Sequence, residues 1–89
     1  MQPVEFDAIV FQEETTYVAH CPELDVSSCG KTLDEARKNL KTAVRLFLEE
    51  AEKLGTLEDI LREGSFQLNP HGVWTSPRLV STEVMQVGA

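Results

Sequence analysis

The chain has 89 residues, which is enough for one domain and too short for two independent hydrophobic cores. Hydrophobic residues make up 42% of it and charged residues 26%, a balance typical of a globular protein and not of a disordered one. No apolar run approaches the roughly 20 residues that span a bilayer, and the N-terminus lacks the basic and apolar segments of a signal peptide. We therefore expect a cytoplasmic protein without a membrane contact.

The formal net charge is −7, from 15 acidic and 8 basic residues. This excess disfavours sequence-independent binding of nucleic acid, which requires clustered lysine and arginine against the phosphates. It favours a basic partner, because opposite charge steers association. A surface that is acidic only for solubility explains the same balance.

Two cysteines, Cys21 and Cys29, lie eight residues apart and lack the Cys-x-x-Cys spacing of redox and zinc motifs. Thiols of a cytoplasmic protein normally stay reduced. We expect two separate, partly buried thiols, with no metal site and no cofactor.

Alternating apolar residues predict two strands at the start of the chain. Residues 4–12 have period two, and residues 17–21 follow after a short polar link. One apolar face of the first strand consists of Val4, Phe6, Ala8 and Val10. Ile9 and Phe11 make the opposite face partly apolar, so we expect this strand to be central in the sheet or covered on both sides.

A turn built on proline separates the second strand from a third. Pro22 has no backbone N–H and ends the second strand. The turn is Pro22-Glu23-Leu24-Asp25, and residues 26–29 form the third strand. Gly30 then supplies backbone freedom before the helix.

Residues 32–54 predict one long helix. Thr32 and Glu35 have the spacing of a capping box, and Gly55 is a natural C-cap. The predicted buried stripe follows i, i+3, i+4 spacing and consists of Leu33, Ala36, Leu40, Ala43, Val44, Phe47, Ala51 and Leu54. A helix this long must lie across a sheet to bury that stripe.

The last third of the chain predicts a short helix and late strands. Thr56 and Gly64 bound the short helix. Asn69-Pro70-His71-Gly72 has the composition of a type I turn, and residues 78–87 have strand character.

The predicted fold class is therefore α+β, a three-stranded antiparallel sheet with one long helix (β-β-β-α), then a short helix and C-terminal strands. Residues 1–64 form the main domain. Residues 65–89 form a β extension, either of the same domain or of an oligomer contact. One sheet face stays poorly covered, so the C-terminal tail or another subunit must shield it.

The central stretch resembles the HicB-like antitoxin family, with a likeness that covers roughly residues 4–54. The motif consists of Cys21-Pro22-Glu23-Leu24, Ser27, Gly30, Thr32, Glu35-Ala36, Asn39-Leu40, Ala43-Val44, Leu46-Phe47-Leu48 and Glu49-Glu50. Many members of the family read Pro-Glu-Leu-Pro-Gly at the turn, where this chain has Leu24-Asp25-Val26. Each piece alone is weak, and the combined pattern is fairly specific.

The resemblance implies a partial RNase H-like fold without nuclease activity. It also implies that the protein neutralises a small basic HicA-type toxin, which cleaves messenger RNA, by direct binding within an oligomeric complex. Only Arg62 and Arg78 are basic after Leu54, and this segment does not predict a helix-turn-helix or ribbon-helix-helix module. We therefore expect a solo member that does not bind DNA directly. The alternative is a stand-alone interaction or ligand-binding module of the same fold with no cognate toxin.

Three chemical alternatives compete with the interpretation of these residues as solvated surface groups. A residual nuclease would need carboxylates converging on two metal ions, and the candidates are Asp7, Glu23, Asp25 and Glu35. A zinc set would combine His20 and His71 with the cysteines, but His20 and Cys21 point to opposite faces of a strand. The basic first half of the long helix could touch RNA.

The expected partner contacts are the strand surfaces around residues 17–29 and the acidic late part of the helix. The candidate residues are Tyr17, His20, Glu23, Asp25, Glu49, Glu50, Glu52 and Trp74. Trp74, like Phe66, is either core or an interface anchor. The segment Leu79 to Val87 is expected to pair with another chain or with the sheet edge, which would give at least a dimer.

Overall fold

Three antiparallel strands form the sheet, and the long helix lies across one of its faces. The computed structural model describes residues 1–88. The elements in chain order are β1 Ile9–Glu13, β2 Thr16–Cys21, β3 Val26–Gly30, α1 Leu33–Leu54, α2 Leu57–Glu63, β4 Gln67–Leu68 and β5 Trp74–Thr75. This is the predicted α+β fold, and the prediction of sheet, long helix, short helix and late strands is confirmed.

The strands lie in the order β1-β2-β3, so β1 is an edge strand, and with Phe11 exposed the prediction that it is central or covered on both sides was wrong. The strand register divides the side chains between two faces. Val10 lies opposite Ala19, and Ala19 opposite Ser28, whereas Phe11 lies opposite Val18, and Val18 opposite Cys29. The face toward α1, here called the covered face, carries Val10, Tyr17, Ala19, Cys21 and Val26. The other, called the open face, carries Ile9, Phe11, Val18, His20, Ser27 and Cys29.

Local chemistry sets both ends of α1. The Oγ1 of Thr32 accepts a hydrogen bond from the backbone N–H of Glu35 at 3.0 Å. The Glu35 carboxylate accepts one from the N–H of Lys31 at 3.4 Å, one residue before the cap. Gly55 ends the helix in the left-handed conformation, with φ of 76°. The predicted caps are confirmed.

The buried stripe of α1 is narrower than its sequence predicts. The buried residues are Ala36, Leu40, Val44, Leu48 and Ala51. Leu33, Phe47 and Leu54 are exposed, so their assignment to the stripe was wrong. Steps of four residues from Ala36 to Leu48 keep one narrow line against a sheet of only three strands, and residues on the flanks of that line stay outside.

The first strand is shorter than predicted, because residues 4–8 do not pair with β2. Val4 instead forms a parallel bridge with Trp74. The N–H of Glu5 donates to the carbonyl of Trp74 at 2.8 Å, and the N–H of Trp74 to the carbonyl of Pro3 at 2.9 Å. The N-terminal segment is thus held by the end of the fold and not by its neighbour in sequence.

α2 and the β4–β5 hairpin close the core at the end of the helix. Thr56 precedes α2, but its hydroxyl donates to the Ala51 carbonyl at 3.4 Å and does not cap the helix. Gly64 keeps a negative φ, and Ser65 takes the left-handed conformation with φ of 68°. The predicted turn at residues 69–72 is confirmed, because the N–H of Gly72 donates to the Asn69 carbonyl at 3.0 Å.

The predicted strand at residues 78–87 is absent from the described chain, which has no regular element after β5. Its β-branched residues favour an extended backbone, but a strand exists only where a neighbour accepts its hydrogen bonds. Within residues 1–88, neither helix is long and apolar enough to cross a membrane.

Candidate functional site

The turn between β2 and β3 is built by residues 22–25. The N–H of Asp25 donates to the Pro22 carbonyl at 3.3 Å. Asp25 has φ of 53°, a left-handed conformation that aspartate tolerates better than most residues. Asp25 is therefore placed by the backbone of the turn, and its side chain projects into solvent.

Glu23 is anchored in the fold. One carboxylate oxygen accepts a hydrogen bond from the Cys21 Sγ at 3.5 Å, and the other accepts one from the Ser76 hydroxyl at 3.3 Å. Ser76 is buried, 53 residues away in sequence. Glu23 thus joins the turn to the end of the fold, a role that nothing in the local sequence around Ser76 indicates.

Gly30 is required for close packing and not for conformational freedom, which corrects the prediction. Its backbone is buried at the end of β3. A Cβ added there would lie 2.6 Å from the backbone nitrogen of Ala36. Ala36 is itself fully buried, so two small residues let the first turn of α1 approach the strand.

The open face combines an apolar patch with one polar cluster. Phe11 is 56% exposed and lies directly opposite Val18 across the strands. Beside them, His20 Nδ1 lies 2.7 Å from the Ser27 hydroxyl, and His20 Nε2 lies 3.9 Å from the Asp25 carboxylate. The long second distance and the solvated carboxylate do not orient the imidazole as in a hydrolase triad.

The two thiols are free and lie on opposite faces of the sheet. Cys21 is buried on the covered face, and burial together with the adjacent Glu23 carboxylate raises its pKa from 9.0 to about 11. Cys29 is exposed on the open face. The two thiols are separate, as predicted, but neither is partly buried, because Cys21 is fully buried and Cys29 is exposed.

The structure does not bring the candidate nuclease carboxylates together. Asp7 accepts hydrogen bonds from the Arg78 guanidinium at 3.1 Å and from the N–H of Leu79 at 3.0 Å. Glu23 binds Ser76, and Glu35 caps α1. Asp7, Glu23 and Glu35 therefore each have a separate partner. Across residues 1–88, no group of three or more His, Cys, Asp or Glu side chains is arranged to hold a metal ion.

Negative charge is concentrated in one region, here called the acidic end and defined as residues 49–63. It contains six acidic and two basic residues, from the last turns of α1 through α2. Glu49 pairs with Arg45 at 3.6 Å, Glu52 with the N-terminal amine at 3.5 Å, and Glu58 with Arg62 at 2.7 Å. Within the described chain, no ion pair involves Glu50, Asp59 or Glu63.

Two of the predicted contact residues belong to the core. Trp74 is 5% exposed, and the Arg62 guanidinium lies over its ring, 5.4 Å from the centroid. Tyr17 is partly buried against the core from the covered face. Of the two interpretations left open for Trp74 and Phe66, both residues follow the core one.

No known protein family, no curated protein and no solved structure matches this chain. Membership of the HicB-like family therefore stays a prediction from the sequence motif, whose turn, cap and Gly30–Ala36 contact have the local structural roles described above.

Proposed function

We propose that this protein is an antitoxin-like binding protein of the HicB type, which neutralises a small basic mRNA-cleaving toxin by direct contact. The partner surface is the acidic end, residues 49–63. Binding there would place negative charge against the basic surface that such a toxin needs for RNA, and would exclude RNA from it.

The observation that carries this proposal is the segregation of charge along α1 and α2. The acidic end has a net charge of −4 within a chain of −7. Residues 31–45 carry five basic and two acidic residues. A surface acidic only for solubility would have interspersed signs, whereas a concentrated region of one sign steers a partner of the opposite sign.

The two free thiols support a cytoplasmic location. Cys29 is exposed and unpaired, and such a thiol persists in compartments kept reducing by glutathione and thioredoxin. A toxin that cleaves messenger RNA acts in the same compartment.

Charge reversal within the acidic end tests the proposal. If a small basic protein is encoded next to the chain, it would be co-purified with the chain; otherwise a HicA-type toxin would be used, and RNA cleavage would be measured with and without the chain. We expect the triple variant Glu50→Lys, Asp59→Lys, Glu63→Lys to inhibit at least tenfold less well, and wild-type binding to weaken with salt.

The matched control is reversal of Glu13 and Glu14, exposed acidic residues at the β1–β2 turn, which should leave inhibition unchanged. Inhibition that survives the triple reversal would disprove the assignment of the surface. A neighbouring protein that neither binds the chain nor cleaves RNA would remove the antitoxin function and favour the stand-alone module.

A further inference from the structure

The last residues of the chain form an apolar segment with no surface beneath it. We call residues 80–88 the arm. Val80, Val84 and Val87 are 94%, 101% and 98% exposed, and Met85 is 77% exposed. The radius of gyration is 14.8 Å, against about 12 Å for a compact chain of this length. Four large apolar side chains fully in water are unfavourable for an isolated chain.

The arm leaves the fold from a fixed point. Arg78 forms ion pairs with Glu5 at 3.4 Å and with Asp7 at 3.1 Å. The N–H of Leu79 donates to the Asp7 carboxylate at 3.0 Å. Three contacts therefore hold residues 78–79 beside the N-terminal segment, and the arm begins at this anchor.

The open face is an apolar surface that matches the apolar side chains of the arm. Ile9, Phe11 and Val18 form an apolar patch across β1 and β2, with polar residues of β2 and β3 beside it. The arm has four apolar residues and a single charge at Glu83. Nine extended residues reach about 30 Å, which exceeds the roughly 14 Å width of three strands.

We propose that the arm of one copy lies across the open face of a second copy, and that the exchange is reciprocal. In the described chain the arm does not lie on its own open face, because Val80, Val84 and Val87 are almost fully exposed. A second copy supplies the apolar surface that the arm does not find in its own chain. The exchange uses both arms and both faces once, so it closes as a two-fold dimer.

This inference does not depend on the toxin, because the arm and the open face belong to the isolated chain. It leaves the acidic end free, since that region lies on α1 and α2 and not on the open face. Its test is the mass of the purified protein alone, so its failure is distinguishable from failure of the proposed function.

Sedimentation velocity of the full chain between about 5 and 200 µM should give twice the 10.0 kDa chain mass. Removing residues 80–89, which keeps the anchor at Arg78 and Leu79, should give a monomer with unchanged far-ultraviolet circular dichroism. Phe11→Asp on the open face should also give a monomer. The matched control is Leu46→Asp, at an exposed leucine of α1, which should stay dimeric.

Cys29 allows a direct test of which copy the arm covers. A Val84→Cys, Cys29→Ser chain has no thiol on its own open face, and Cys21 stays buried. Mixed with wild type under mild oxidation, it should form a disulfide to the Cys29 of the other chain. A full-length chain that is monomeric at every concentration would overturn the proposal. So would a truncated chain that stays dimeric, or, in a chain carrying only Val84→Cys, an intramolecular disulfide between the introduced thiol and Cys29.

Discussion

Cys21 and Cys29 lie on neighbouring strands of the same sheet, but they differ in burial and in the face of the sheet on which they lie. Cys21 faces α1, is fully buried and has its pKa raised to about 11. Cys29 faces away from α1 and is exposed. A weaker contrast separates residues adjacent in sequence: Ala19 is buried and Val18 half-buried, and Val10 is half-buried and Phe11 exposed.

The comparison separates the face that stabilises the fold from the face that we propose as a contact surface, on the same three short strands. The covered face holds the side chains that exclude water, and they contact α1, Phe66 and Trp74. The open face is nearly as apolar in composition, but no helix or further strand of residues 1–88 forms a second layer on it. Apolar surface of this kind on a small domain is normally a contact surface.

The largest difference between the two faces should appear when one carboxylate is introduced on each face in turn. Ala19→Asp buries an unpaired carboxylate at a fully buried position and should cost more than about 4 kcal/mol. Val18→Asp, one residue earlier, should cost about 1 kcal/mol, from lost β-propensity, when both variants are made in the chain lacking residues 80–89, which removes the proposed dimer contact. Urea unfolding followed by circular dichroism measures both. Equal losses would show that the open face is also part of the core.

The orientation of α1 on the sheet can be tested with the same substitution at two nearby positions of the helix. Leu48 is 3% exposed and Leu46 is 55% exposed. Leu48→Ala should cost about 2–5 kcal/mol through lost burial and a cavity. Leu46→Ala should change the free energy of unfolding by less than about 0.5 kcal/mol. A reversed order would mean that the helix is rotated about its axis.

The two faces should also differ in the rate at which a reagent labels their thiols. The raised pKa lowers the thiolate fraction of Cys21 about 100-fold near neutral pH. A thiol reagent should therefore label Cys29 rapidly and Cys21 at least that much more slowly, and Cys29→Ser should remove the fast phase. Labelling of both thiols at one rate would contradict the burial of Cys21.

The same thiol predicts a change of stability at alkaline pH. Its folded-state pKa lies above the ordinary value of 9.0, so its contribution is complete below pH 9 and is lost as pH rises from 9 toward 11. Comparing urea midpoints of wild type and Cys21→Ala at pH 7 and pH 10 isolates this loss. The wild type should lose more stability than the variant over that interval.

Features set by local chemistry were predictable from the sequence. The ends of α1 depend on Thr32, Glu35 and Gly55, residues whose capping geometry is complete within a few positions. The turn at Pro22 is similar, because proline and a left-handed Asp25 decide it locally. The order of strands followed from the short links between them.

Features set by distant contacts were not predictable. Whether Leu48 or Phe47 is buried depends on how α1 is rotated about its own axis relative to the sheet. The periodicity of the sequence defines that rotation only to within one residue. The Glu23–Ser76 hydrogen bond joins residues 53 apart. The strand expected at residues 78–87 had suitable residues but no partner within the described chain.

The pairing of Val4 with Trp74 has a consequence for the order of folding during synthesis. The sheet and α1 are complete once residue 54 has been made, and their contacts are close in sequence. The N-terminal segment must wait until residues 74–79 emerge, since those residues supply its backbone and ion-pair partners. Contacts that close so long a loop form late and open first. Amide exchange should therefore be faster at Glu5 than at Ala19, and a nascent chain halted before residue 74 would display its first residues unpaired.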